Sequence, residues 1–220
     1  MTSMTKAISV STTTAIGVSA TTAISETIDL LPRAGRRRDP LLDEAILDAA
    51  LAMFAEGGYR GVSIEGVAAR AGVGKATVYR RHPTRAALLV DAVRIRLCLI
   101  HDLPDTGDLR ADLYSLMQPL IDRLRSPDGA VLTAFMAERF REPELTAEFE
   151  RSVIGRKREH TRQLFRRAIA RGELPLDTDV ELLAEIPAAI IWHHALNNLP
   201  IDARLASRIV DHVIGTSTSC

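Results

Sequence analysis

The stretch "VAARAGVGKATVYRRHPTR", residues 67–85, decides how this chain folds. Apolar residues recur in it at helical spacing, and two glycines and a proline divide it into short pieces. It also carries the positive charges of Lys75, Arg80, Arg81 and Arg85. A helix that is buried all round would not carry these charges, and a charged loop would not need the apolar stripe. The pattern predicts a short helix that packs on one face and offers a basic face to a partner.

Capping residues divide the surrounding sequence into two short helices and a longer one. Ser63 can cap a helix that ends near Gly72, and a second helix is predicted over residues 74–81. Thr84 can cap a longer helix over residues 85–100. Two short helices joined by a glycine turn, the second of them basic, form a helix-turn-helix, whose second helix enters the major groove of DNA.

The rest of the chain is helical by the same criteria. A helix is predicted to begin at Pro40 and to stop at the pair Gly57-Gly58. No alternation of apolar and polar residues reaches the length of a useful strand, so the fold is predicted to be all-α. Toward the C-terminus, helical periodicity covers the segments 108–125, 129–141, 144–171, 178–197 and 202–214.

Charge is divided unevenly along the chain. The 220 residues carry 28 Lys and Arg and 28 Asp and Glu, a formal net charge of zero. Residues 33–96 hold 12 of the basic and 7 of the acidic residues, so this part has a net charge of +5 and the remainder one of −5. The asymmetry predicts that the first part meets a polyanion and that the rest does not.

Composition excludes several classes of protein. The two cysteines, Cys98 and Cys220, are too few for a disulfide framework and predict thiols in a reducing compartment. No apolar run approaches the roughly 18 residues of a membrane span, and Ser and Thr interrupt the stretch 7–25 too often for a signal peptide. We therefore expect a cytoplasmic protein without a membrane partner, with a disordered Thr/Ser/Ala-rich tail over residues 1–32.

Two other interpretations compete with the helix-turn-helix. One is a solvated basic helix in an ordinary bundle, which does not explain why helix lengths, turn glycine and charge placement agree. The other is a phosphate-binding loop, because "GVGKAT" (72–77) is similar to the pattern G-x-x-x-x-G-K-[ST]. Ala69 and Ala76 stand where that pattern needs Gly and Ser or Thr, and no strand precedes it.

Residues 40–90 resemble the N-terminal DNA-binding domain of TetR/AcrR-type transcriptional repressors. The shared pattern is "AILDAALAMFAEGGYRGVSIEGVAARAGVGKATVYRRHPTRAALL" (45–89). Its specific parts are the corner from Phe54 to Tyr59 and the motifs "VAARAGV", "ATVY" and "TRAALL". The domains that this resemblance implies are a basic arm with a helix-turn-helix (33–85), a helical ligand-binding and dimerisation domain (86–215) and a C-terminal tail (216–220).

The resemblance implies DNA contacts at particular positions. Base contacts, or close approach of the backbone to the bases, are implied for Gly74, Lys75 and Ala76. The residues implied to contact phosphates are Ser63, Thr77, Tyr79 and Arg85. Arg81 stands where many members have an aromatic residue or His, and it can still serve a phosphate. Independently of the resemblance, the basic residues Arg36, Arg37 and Arg38 predict either an arm that enters a minor groove or follows the backbone, or a solubilising tail. Two further positions depart from the family pattern: His82 stands where many members have Phe or Trp, and Glu65 where some have a base-contacting Arg.

The helical remainder predicts a cavity and a contact with a second copy. Apolar residues of the middle helices form either a plain core or the lining of a ligand cavity between helices. The candidate lining residues are Leu113, Met117, Leu120, Phe135, Met136 and Phe165. The last two helices carry much apolar surface for a chain end and predict an isologous four-helix contact. The candidate interface residues are Ile190, Trp192, His194, Ile209 and Val213.

These features predict a homodimeric transcriptional regulator, a repressor that a small hydrophobic or amphipathic effector releases from a palindromic operator on double-stranded DNA. No catalytic arrangement or glycine-rich cofactor fingerprint is present, so no catalytic residue and no cofactor is predicted. The adjacent His193 and His194 project about 100° apart on a helix, so no metal site is predicted there. The alternative is an all-α small-molecule binding protein or enzyme that does not bind DNA.

Overall fold

The computed structural model describes residues 39–97 and 105–217. Within this part of the chain every regular element is a helix, which confirms the predicted all-α fold. The helices are α1 (Pro40–Gly61), α2 (Ile64–Arg70), α3 (Lys75–Arg81), α4 (Arg85–Arg96), α5 (Leu109–Arg125), α6 (Asp128–Arg139), α7 (Pro143–Phe149), α8 (Gly155–Ala170), α9 (Val180–Leu196) and α10 (Leu205–Ser217). The predictions for the tail (1–32), for the arm with Arg36, Arg37 and Arg38, and for the thiols of Cys98 and Cys220 fall outside the described residues.

Side-chain caps begin four of the described helices, and one of them is α9, where the Asp179 carboxylate accepts the N–H of Leu182 at 3.1 Å. The Ser63 hydroxyl accepts the N–H of Gly66 at 3.0 Å, and the Thr84 hydroxyl accepts the N–H of Ala87 at the same distance. The Asp108 carboxylate does the same at the start of α5, with the N–H of Ala111 at 3.0 Å. These bonds satisfy backbone N–H groups that have no partner within the helix, and caps of this kind typically contribute about 1 kcal/mol.

Glycines make the two sharp changes of direction in the first part of the chain. Gly58 has φ of 62° and interrupts α1 together with Gly57, at the predicted stop. The chain then makes a further helical turn, which ends at Gly61. Gly72, between α2 and α3, has φ of 67°, a left-handed conformation that residues with a Cβ rarely adopt.

The predicted helix over 144–171 is divided into α7, a π-helix and α8. The π-helix covers Glu150–Ile154, and its last bond runs from the N–H of Gly155 to the carbonyl oxygen of Glu150. A π-turn inserts one residue into a helix and is frequent at functional sites. In this chain Val153 and Ile154 of the π-helix line a cavity.

One hydrophobic core joins the described helices. α1 packs against α4 and α6, α4 packs against α7, and α9 packs against α8 and α10. Three aromatic rings connect the first part of this core to the second: Phe54 of α1 meets Phe135 of α6 at 6.1 Å between ring centroids, and Phe135 meets Phe149 of α7 at 5.1 Å. Both pairs are edge to face, a favourable geometry for aromatic rings.

Candidate DNA-binding surface and ligand cavity

α2 and α3 form a tight helix-turn-helix. The N–H of Val73 donates to the carbonyl oxygen of Ala68 at 2.9 Å and closes the turn. Val67, Ala68 and Val78 are buried between the helices, at 0%, 2% and 0% exposure. Because alanine is small, it allows α2 and α3 to approach closely. The geometry agrees with the arrangement that the sequence predicts, and it fixes which face of α3 remains outside.

The outer face of α3 carries the residues predicted to approach the bases. Gly74, Lys75 and Ala76 are all exposed at its N-terminus. A Cβ added to Gly74 would meet no other atom of the protein within 4 Å, so the protein itself does not demand glycine at this position. Lys75 Nζ lies 3.6 Å from the Glu65 carboxylate of α2. Glu65 therefore partly neutralises the lysine while no DNA is bound.

The residues predicted to contact phosphates lie in two different environments. Tyr79 is exposed on α3 and Thr77 is half-buried beside it, while Ser63 at the start of α2 already uses its hydroxyl as the cap. Arg81 forms an ion pair with Asp43 of α1, and only 16% of its side chain is exposed. Arg85 at the start of α4 is paired as well. Two of the predicted cations are thus held by carboxylates of this chain.

Tyr59 lies at the centre of a link between α1, α4 and the end of α6, and sequence patterns did not reveal this link. Its backbone N–H donates to Glu138 at 2.9 Å, and its hydroxyl donates to Glu144 at 2.5 Å. Arg85 lies over the Tyr59 ring, 3.9 Å from the centroid, and donates to Glu144 at 3.1 Å. Burial raises the pKa of Tyr59 to about 12, and the hydrogen bond to Glu144 acts in the same direction.

His82 packs against α4 although it replaces an aromatic residue of the family pattern. It is 7% exposed, and its Nδ1 lies 3.0 Å from the Asp91 carboxylate. Burial alone would raise the pKa of Asp91, but hydrogen bonds from His82 and Arg94 outweigh it and hold the pKa below its ordinary value. The His82–Asp91 contact supplies the packing between α3 and α4 at this position.

A cavity of about 350 Å³ lies between the end of α6, the π-helix, α8 and α9. Its apolar wall includes Phe149, Val153 and Trp192. Its polar groups come from Arg139, Lys157, Arg158, Thr161 and Glu185. An apolar wall with a few polar groups is typical of small-molecule sites.

The predicted lining residues fall mainly in the core. Leu120 lines the cavity, whereas the other five are no more than 3% exposed and belong to the packed core: Leu113, Met117, Phe135, Met136 and Phe165. Helical periodicity identifies residues that face inward, but a cavity forms only where the packing of neighbouring helices leaves space. The lining residues that sequence reasoning missed include all the charged ones, Arg139, Lys157, Arg158 and Glu185.

The predicted interface residues also divide into two groups. Ile190 and His194 are half-buried on α9, and Trp192 lines the cavity. Ile209 and Val213 are 3% and 1% exposed and pack within their own subunit, where α10 meets α5 and α9. These two side chains therefore offer a second copy almost no surface.

Comparison with known proteins agrees with this geometry. Residues 46–92 match the family described as bacterial regulatory proteins, tetR family, and residues 103–213 match the tetracyclin repressor-like, C-terminal domain.

The HTH-type transcriptional regulator AqdR of Rhodococcus erythropolis is 31% identical over 140 residues, 64% of this chain and 67% of that protein. The DNA-binding transcriptional repressor TetR of Mycobacteroides abscessus is 28% identical over 171 residues, 77% of this chain and 90% of that protein. The crystal structure of the TetR family transcription regulator SCO0332 superposes with a TM-score of 0.61 at 26% identity, covering 79% of this chain and 97% of that one.

The chain belongs to the TetR family of bacterial transcription regulators. It is a DNA-binding regulator with an N-terminal helix-turn-helix domain and a C-terminal helical domain. Proteins of this family are regulators of transcription and not enzymes, which decides against the catalytic alternative. Among the described helices, none combines the length and the apolar composition that crossing a membrane requires.

Proposed function

We propose that this protein is a homodimeric cytoplasmic repressor that binds a palindromic operator and leaves it when a small amphipathic effector fills the cavity beside α8. The observation that carries the DNA-binding half of this proposal is the outer face of α3. This face is exposed and basic, and it begins with small residues at Gly74 and Ala76. Such a face can lie against the floor of a major groove, which admits an α-helix.

Each exposed group of α3 has a proposed role on DNA. Lys75 reaches a base edge once it leaves Glu65, and the small neighbours at Gly74 and Ala76 let the helix come close. Ser63, Thr77 and Tyr79 position the helix on phosphates, which fix its register without reading sequence. Phosphates can also compete with Asp43 for Arg81 and with Glu144 for Arg85, because a phosphate is an equally good partner for a guanidinium group. Arg36, Arg37 and Arg38 are proposed to extend this contact into the minor groove.

The proposed dimer uses α9. Besides Ile190 and Trp192, this helix and the loop after it expose large apolar residues, with Leu182 at 57%, Leu196 at 39% and Leu199 at 40%. A two-fold contact along this face would pair like surfaces of two copies. The dimer would present two α3 helices about 34–36 Å apart, the spacing of successive major grooves on one side of DNA.

The proposed switch acts through Tyr59. α4 passes from the helix-turn-helix into the second part of the core and is the first connection between them. The structure adds a second connection, because Glu138 of α6 and Glu144 of α7 hold Tyr59 and Arg85. A ligand that moves the corner between α6 and α7 would move both. It shifts the DNA-binding equilibrium only to the extent that it prefers one arrangement of this corner over the other.

Operator binding tests the proposal directly. The full chain should retard DNA taken from upstream of its own gene in a gel-shift experiment, and scrambled DNA of the same length and composition should compete poorly. Sedimentation of the complex should show two chains on each palindrome. Equal affinity for the two DNAs, or one chain on each site, would contradict the proposed operator or the proposed dimer.

Replacing Lys75 should separate base reading from positioning. Lys75→Ala should weaken operator binding by about 1–3 kcal/mol and relax the preference at one or two base pairs, because it removes a base contact. Tyr79→Phe should weaken operator and scrambled DNA alike, because it removes a phosphate contact. Gel shifts against a set of singly substituted operators measure both effects. Identical specificity profiles for the two variants would show that the assigned roles are wrong.

A further inference from the structure

Two cations at the cavity beside α8, Lys157 and Arg139, form no close ion pair with a carboxylate of the described residues, although Glu150 acts on Arg139 from a greater distance. Arg158 also lines the cavity, but its charge is matched by Glu150 at 3.2 Å and by Glu185 at 3.8 Å. Lys157 and Arg139 form no ion pair with any carboxylate of the described residues. Since charged groups are rarely removed from water without a partner, this pair needs an explanation.

The environment of each cation is partly dry. Arg139 lies against aromatic rings, with its guanidinium 4.3 Å from the centroid of Phe140 and 5.3 Å from that of Phe149. Its Nε is buried and has no hydrogen-bond partner in the part of the chain that the structure describes. The Lys157 side chain is half-buried, and desolvation of its ammonium group lowers its pKa to about 8. Both groups are therefore ready to gain from an anion placed between them.

The other walls of the same cavity are apolar. Leu120, Phe149 and Val153 line one side, and Ala188 and Trp192 of α9 line another. Apart from the indole N–H of Trp192, these side chains offer no group to hydrogen-bond, so they suit a hydrocarbon body.

We infer that the cavity binds an anionic amphiphile, with a carboxylate or similar head group on Lys157 and Arg139 and a hydrocarbon body against the wall from Leu120 to Trp192. This inference rests on the proposed function, because it names the chemical class of the effector. The sequence predicts a hydrophobic or amphipathic ligand, and the inference narrows this class to anionic amphiphiles. Neutral and cationic amphiphiles lack a negative charge that Lys157 and Arg139 could bind.

The position of Arg139 also connects the head group to the DNA-binding domain. Arg139 is the neighbour of Glu138, the carboxylate that accepts the backbone N–H of Tyr59 at 2.9 Å. An anion that draws Arg139 toward Lys157 acts on the last turn of α6 and on the Glu138–Tyr59 contact. The anion is thus the part of the ligand that is coupled to operator release, while the hydrocarbon body supplies affinity.

Three probes with the same tail test the inference: decanoate, decan-1-ol and decyltrimethylammonium. Calorimetry on the full chain should show decanoate binding about tenfold more tightly than decan-1-ol, the effect of one charge-assisted contact, and the cation binding more weakly than either. Trp192, the only tryptophan of the chain, should change its fluorescence on binding. Equal affinity for decanoate and decan-1-ol, or no binding of decanoate, would overturn the inference.

Matched variants locate the head group. Lys157→Met should abolish the preference for decanoate over decan-1-ol, and Arg139→Met should reduce it if the first variant does not fold. Arg156→Met removes one positive charge from an exposed neighbour on α8 and should leave the preference unchanged. An undiminished preference in Lys157→Met, or an equal loss in Arg156→Met, would mean that long-range charge and not this site selects the anion.

The affinity for decanoate should also fall as the pH rises. Lys157 loses its proton as the pH passes through about 8, and the other charged groups near the cavity are Arg139, Arg158, Glu150 and Glu185. The preference for decanoate should therefore decline from about pH 7 to about pH 9.5, and Lys157→Met should show no such decline.

Operator binding without any probe is measured beside these titrations. If the operator is bound but decanoate is not preferred, the ligand class is wrong and the repressor stands; if decanoate is preferred but no operator is bound, the repressor is wrong and the site stands.

Discussion

Replacing Phe135 by alanine should lower the free energy of unfolding by about 3–5 kcal/mol, the usual cost of deleting a fully buried aromatic ring. Phe135 is 0% exposed and meets both Phe54 and Phe149 edge to face. The substitution removes both ring contacts and leaves a void where α1, α6 and α7 join. Urea unfolding at a constant chain concentration measures the loss, because a dimer's stability depends on concentration.

Phe140→Ala is the matched control for this prediction. Phe140 follows α6 and is 66% exposed, and its ring meets only the guanidinium of Arg139 among the aromatic and cation–π contacts of the described residues. Its removal should change the stability by about 0.5 kcal/mol or less, as for most surface positions. Comparable losses in the two variants would mean that the ring of Phe135 does not occupy the centre of the core.

Replacing Tyr59 by phenylalanine should change how stability depends on pH at the alkaline end. Because the pKa of Tyr59 is raised from 10.0 to about 12, the folded protein holds this proton when the unfolded chain has lost it. The resulting stability is fully present below about pH 10 and is lost as the pH rises through about 12. The difference in unfolding free energy between the wild type and Tyr59→Phe should therefore shrink over this range. The shift corresponds to at most about 2.7 kcal/mol, and since Glu144 is exposed to solvent we expect a change on the order of 1–2 kcal/mol.

Tyr114→Phe is the control for this pH effect. Tyr114 is 41% exposed on α5, so its substitution should leave the alkaline limb of the stability curve parallel to that of the wild type. Thermal unfolding followed by circular dichroism at several pH values gives all three curves. If the Tyr59→Phe curve were also parallel to the wild type, the hydroxyl of Tyr59 would be neither buried nor held by Glu144 in solution.

These two predictions concern the same junction. Phe135 joins the apolar parts of the two domains, and Tyr59 joins their polar parts through Glu138 and Glu144. The proposed switch requires the corner between α6 and α7 to shift while the core stays closed, and a hydrogen-bonded contact beside a stable apolar one is suited to this. The proposed effector site begins at Arg139, the residue after Glu138. The residues that would contact a ligand and the carboxylate that holds Arg85 therefore lie close together in the sequence.

Local signals in the sequence predicted the first part of the chain closely. Ser63 and Thr84 cap the helices that they were expected to cap, and Gly72 makes the predicted turn. Each of these features depends on the conformational preference of one residue and on bonds to neighbours within three positions. Such preferences can be read from a single chain without knowledge of what packs against it.

The charged segment from residue 138 to residue 151 shows where this reasoning stops. Its spacing indicates a helix, a proline and another helix with solvated faces. In the structure, however, Glu138 and Glu144 accept hydrogen bonds from Tyr59, 79 and 85 residues away in the chain. Periodicity reports which way a side chain points on its own helix, and it contains no information about the distant group that it meets.

The sequence by itself determined the all-α class, the helix-turn-helix and the basic face of α3, because caps, turn glycines and apolar spacing act within a few residues. Only the tertiary structure decided that Phe135 and Phe165 are core and that Arg139 and Lys157 line the cavity. Inward-facing apolar residues look alike in sequence whether they touch a neighbour or border an empty volume. A cation in a charged run looks solvated until the packing of α6, α8 and α9 shows that it lines a cavity and forms no close ion pair with the described residues.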